Sequence, residues 1–123
     1  MDLTVLGKYG IDYKDGILRC MNDEEFFVRM LMMFPDDSSF ERAGKSLLCR
    51  NYRAMFEALH ELKGACGNVA MTELFDAVTP LVELLRSGCE DESVIVPMYV
   101  RVEEAYTRAI AGINELKEEQ ARK

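Results

Sequence analysis

Tryptophan is absent from the 123 residues, proline occurs three times and histidine once. So few prolines leave long helices possible. No internal repeat, low-complexity stretch or long linker divides the chain. Long apolar runs are missing as well, and the longest fall far short of the roughly 20 residues that a membrane-spanning helix needs. The start, MDLTVLGKYG, has no basic segment followed by an apolar one, so it does not read as a signal peptide. The expected location is cytoplasmic. The four cysteines, Cys20, Cys49, Cys66 and Cys89, form no CxxC pair, and one histidine is too few for the usual Cys/His zinc patterns. They read as small, reduced apolar residues, and no metal site is expected. There is no GxxxxGK[ST] and no glycine-rich loop between a strand and a helix, so no nucleotide cofactor is expected either. Positive charge is in deficit: the formal net charge is -7. That argues against nucleic acid, whose affinity comes mainly from Lys and Arg on phosphates, and against an anionic membrane surface.

What is present is apolar content and a helical period. Hydrophobic residues make up 49% of the chain, enough for a packed core. The length fits one domain over residues 1–123. Residues 1–10 read as a loosely held lead-in. A short helix is expected over 13–21, with Asn22 as the cap of the next, which runs to about Phe34 and stops before Pro35. Residues 36–39 open a helix to about Cys49. Asn51 caps the following one, which ends near Asn68. Thr72 and Glu73 open another that ends at Ser87-Gly88, with Pro80 expected to kink it. The last helix is expected from near Pro97, with an apolar stripe of Tyr99, Val102, Tyr106, Ile110 and Ile113, fraying over 117–123. Met30, Met32 and Met33 read as core filler, and Glu103-Glu104 and Glu118-Glu119 as a solvated face. The expected fold is all-α: an antiparallel four-helix bundle with one or two short helices in front.

One helix concentrates the chemistry. At roughly 100° per residue, Tyr52, Met55, Phe56, Leu59, Leu62, Cys66 and Val69 form a core stripe, and His60 lies roughly 120° from its centre. Lys63, Gly64 and Gly67 share the flank of His60. Each glycine in a helix interior costs up to about 1 kcal/mol relative to alanine. Two of them beside an exposed histidine suggest that an accessible imidazole and close approach of a partner offset that cost. A neutral imidazole nitrogen is a good nucleophile near neutral pH, and a lysine ammonium can balance phosphoryl charge.

The stretch H-E-L-K-G-A-C-G-N-V-A-M, residues 60–71, resembles the signature of histidine phosphotransfer (HPt) domains, roughly H-x-L-K-G-(small)-(small)-x-x-(apolar)-G-(apolar). Residues 10–34 resemble the approach helices of the same family, and the likeness covers about residues 10–115. It implies a four-helix bundle that relays a phosphoryl group in a two-component phosphorelay. His60 is then the phosphoacceptor, Lys63 balances charge, and Gly64 gives the histidine room. Gly67 and Glu61 complete the face toward the partner. The partners implied are response-regulator receiver domains, free or within a hybrid histidine kinase, and the receiver supplies magnesium and most of the catalytic groups. The protein is then a monomeric phosphocarrier rather than a self-sufficient enzyme.

Three departures from the pattern stand out. The later glycine falls at Ala70, where a small residue remains. Pro80 lies in the helix after the site. Glu61 stands where the family usually has a neutral or basic residue, and with Glu57 near the same flank it is expected to slow phosphoryl acceptance at acidic pH. Two other readings compete. One is a non-transferring helical scaffold that binds a receiver or another partner. The other is the dimerisation hairpin of a sensor kinase, whose H-E-L-R box H-E-L-K also resembles.

Overall fold

Short polar side chains open most of the helices. In the computed structural model, which describes residues 2–122, the Asp12 carboxylate accepts from the Asp15 amide at 3.2 Å to start α1 (Tyr13–Arg19). Asp23 accepts from the Phe26 amide at 3.1 Å to start α2 (Glu24–Met33). α3 (Ser39–Leu48) follows a 3-10 turn over Phe34–Asp36. Asn51 accepts from the Ala54 amide at 3.1 Å to start α4 (Tyr52–Asn68). α5 (Thr72–Arg86) and α6 (Glu92–Ala121) complete the chain, and Asp91 caps α6 through the Ser93 amide at 3.0 Å. Each cap satisfies an amide that has no partner inside its helix. There is no strand among the described residues, and the fold is an all-α bundle.

Contacts between residues far apart in sequence give the directions. Phe75 near the start of α5 meets Lys63 and Gly67 late in α4, whereas Arg86 at the end of α5 meets Phe56. Arg108 of α6 pairs with Glu73 at the start of α5. Phe40 at the start of α3 stacks on Tyr106 of α6, and Gly44 makes room for the Tyr99 hydroxyl. Helices α3 to α6 therefore alternate in direction and close a four-helix bundle, with α4 between α3 and α5 and diagonal to α6. Its core includes Met55, Leu59, Leu62 and Cys66 of α4, Leu74, Val78 and Leu81 of α5, and Ile95, Val102 and Ile113 of α6. Burial pushes the Cys66 thiol up to about 12. All four cysteines are free, and Cys49 is exposed.

Several boundaries differ from the sequence expectation, each for a local reason. Residues 3–9 are not loosely held: Leu3–Tyr9 form a 3-10 helix with Leu3 and Leu6 buried, and the Tyr9 hydroxyl donates to Glu115 of α6. α1 ends early because Met21 and Asn22 turn through left-handed φ of 59° and 58°, which leaves Asp23 as the cap. α6 begins at Glu92 rather than near Pro97. Asp91 caps it, Ile95 is fully buried, and Glu92 accepts from the Tyr52 hydroxyl at 3.0 Å and pairs with Arg50 at 2.8 Å. Pro97 removes one amide donor in the second turn, facing the carbonyl of exposed Ser93 where water can substitute. Helix α5 likewise continues through Pro80. The buried line of α6 runs through Val102, Ala105, Ala109, Gly112, Ile113 and Leu116, so Tyr99, Tyr106 and Ile110 sit at its edge. Helix persists to Ala121 instead of fraying from 117, and Lys123 lies outside the described residues. Met33 is exposed at 57%, on the surface rather than in the core. Among the described residues no helix is long and apolar enough to cross a membrane.

The turn from α4 to α5 runs through a left-handed residue that is not glycine. Ala70 has φ 53°, in the left-handed region, while the Met71 amide donates to the Cys66 carbonyl at 3.0 Å. This is the backbone that glycine adopts at a helix C-terminus. An alanine there carries a steric cost of about 1 kcal/mol. Ala70→Gly is therefore expected to raise stability by about that amount, read as a higher urea midpoint at unchanged slope. A lower midpoint would show that the methyl group's packing outweighs the backbone strain.

Candidate functional site

Helix α4 buries Met55, Ala58, Leu59, Leu62 and Cys66. The helical period then fixes what faces water. His60 is exposed in the middle of the helix, and Glu61 and Gly64 are exposed beside it. The imidazole stacks on Phe56, one turn earlier, with ring centroids 5.9 Å apart and planes 19° from parallel. That contact holds one side of the ring and leaves its edge to solvent. Lys63 is half-buried, and its ammonium lies over the Phe75 ring of α5 at 5.6 Å from the centroid. Such a contact steadies a cation without neutralising it.

The two glycines do different work. A Cβ placed on Gly64 would meet nothing within 4 Å. The absent side chain there makes no room for the protein's own core; it opens the surface one turn beyond His60. A Cβ on Gly67 would come within 3.3 Å of the Phe75 ring. Gly67 thus lets α5 approach α4 and seats the aromatic ring that holds Lys63, so its role in the patch is packing rather than clearance.

The acidic neighbours of His60 each have a cation. Glu61 pairs with Arg42 of α3, and Glu57 pairs with Arg53 at 3.4 Å. The expectation that both carboxylates act on the imidazole took no account of Arg42, which reaches across from the neighbouring helix. Beyond Phe56, the Arg86 guanidinium lies over that ring at 5.1 Å. Lys63 takes part in no ion pair among the described residues, so its charge is available to an anion at the surface. No three His, Cys, Asp or Glu side chains converge to hold a metal among the described residues.

Sequence reasoning missed Phe56, Phe75, Arg42 and Arg86. Phe56 was within reach, because residues four apart on a helix are neighbours. The other three come from α3 and α5, and nothing in the α4 sequence points to them. Chemically the site offers one accessible nucleophilic nitrogen and one steadied ammonium. Compared with known proteins, the chain matches no family model, no curated protein and no solved structure.

Proposed function

We propose that this chain is a histidine phosphotransfer protein whose phosphoacceptor is His60. The observation that carries the reading is the exposed imidazole beside Gly64, a position where nothing of the protein fills the space. A protein partner can reach the ring over that gap. In the forward step the imidazole lone pair forms a P–N bond as the bond between phosphorus and the receiver's aspartyl oxygen breaks. The electron pair leaves with the carboxylate, and the imidazole keeps the proton on its other nitrogen. Lys63 balances charge on the phosphoryl group as a point charge. Magnesium and the aspartate belong to the receiver, as the resemblance implies. The kinase-hairpin reading is disfavoured because one chain supplies all four helices of its bundle.

The test is transfer from a receiver domain carrying a radiolabelled aspartyl phosphate. Wild type is expected to take up acid-labile, alkali-stable label within minutes, and His60→Gln to take up none. Label that persists in His60→Gln would place the phosphoryl group on another side chain and overturn the assignment of His60, whereas absence of label in wild type with every receiver of the source organism would favour the scaffold reading.

A further inference from the structure

Where α3 meets α6, on the side of the bundle opposite the α4–α5 seam, the surface holds a stack of rings rimmed by carboxylates. Phe40 of α3 lies against Tyr106 with centroids 3.9 Å apart and against Tyr99 with centroids 6.0 Å apart, the planes within 10° and 7° of parallel. Phe40, Tyr106, Ile110 and Ala111 form the apolar floor of an open groove along α6. Glu103 and Glu104 stand on its rim, exposed and without an ion pair among the described residues. The one cation of the lining, Arg108, is already engaged with Glu73 at 3.3 Å. The rings feel the negative field. Burial first, then the carboxylates of Asp37 and Glu41, push the Tyr106 phenol up. Burial and then Glu103 do the same to Tyr99.

We propose that the α3–α6 groove docks a basic amphipathic helix of a partner protein while His60 stays free. An apolar floor running along a helix accepts the apolar stripe of another helix. The unpaired rim carboxylates select Lys or Arg on the flanks of that stripe. A second copy of this chain is a poor occupant, because its net charge of -7 meets an acidic rim. A helix seated here holds the protein near its partner without covering the α4 surface. The inference is independent of phosphoryl chemistry at His60.

The probe is a synthetic helix of about 18 residues, roughly five turns, with a leucine stripe flanked by lysines. Its control carries glutamate in place of lysine. Titration into the 15N-labelled full chain is expected to shift the amides of Phe40, Glu103, Tyr106, Ile110 and Ala111, with the glutamate control silent. The E103K/E104K pair should weaken binding about tenfold, as charge reversal at a complementary rim does. Ala111→Arg, which adds bulk at an exposed floor position, should abolish binding while the thermal midpoint stays within a few degrees. Saturating peptide should leave the amides of His60, Lys63 and Gly64 unshifted. Equal binding of the glutamate control, shifts centred on α4, absence of binding, or a doubled solution mass of the chain alone with shifts in this groove would each overturn the proposal.

Discussion

Gly64→Leu is expected to leave the bundle folded and slow phosphoryl exchange with a receiver by about a hundredfold. The two halves of this result have separate causes. A Cβ at position 64 meets nothing within 4 Å, so a side chain starts out into open space. Leucine also favours helix over glycine by nearly 1 kcal/mol, and the thermal midpoint should rise slightly. The same side chain stands one turn from His60 on the surface that a partner must approach. Displacing reacting groups by about 1 Å costs on the order of a hundredfold in rate. A small phosphodonor such as phosphoramidate needs no docking surface and should still modify His60 at a rate close to wild type. Rapid-quench transfer, phosphoramidate labelling and a thermal melt of the same variant check all three parts. Unchanged exchange with the receiver would mean that the partner does not approach over Gly64.

Phe27→Ala is expected to cost about 3–5 kcal/mol of stability, the usual range for deleting a fully buried aromatic side chain. Phe27 has no exposed surface. Its ring occupies the space where Gly16 of α1 would carry a Cβ, 2.8 Å from the ring carbon Cδ1. Glycine at 16 and phenylalanine at 27 are therefore one fitted pair, and they join α1 to α2. Overpacking from the other side, by Gly16→Ala, should cost about 1–3 kcal/mol. Urea unfolding of both variants measures these losses. A loss below about 1 kcal/mol for Phe27→Ala would show that α1 and α2 reorganise easily and contribute little to the bundle.

The helices were legible where apolar spacing and a capping residue agreed. Asn51 before Tyr52, and Thr72-Glu73 before Leu74, marked the starts of α4 and α5 because each pairs a first-turn signal with a core stripe. The start of α6 was hidden by Pro97, a good first-turn residue that here sits in the second turn. What decided the matter was Asp91 capping Ser93, together with contacts from Tyr52 and Arg50 to Glu92. Asp91 and Ser93 were there to be read beside α6, but Tyr52 and Arg50 come from the turn into α4 and its first residue, and nothing in the α6 sequence points to them. The left-handed turns at Met21-Asn22 and Ala70 were equally hidden, since no glycine marks them. At the site, the exposed setting of His60 and Gly64 followed from the period of α4 alone. The role of Gly67 did not, because it depends on Phe75 from α5. The pairing of Glu61 with Arg42 depends on the packing of α3 in the same way.

Phosphoryl transfer measured from both sides in one mixture tests the central claim most directly. A receiver domain carrying its aspartyl phosphate is mixed with this chain, and 31P NMR follows both species at neutral pH. The account predicts that the aspartyl signal decays as a phosphohistidine signal grows in equal amount, and that peptide mapping places it on His60. Decay of the aspartyl phosphate to inorganic phosphate alone, with His60 unmodified while phosphoramidate still labels it, would contradict the account.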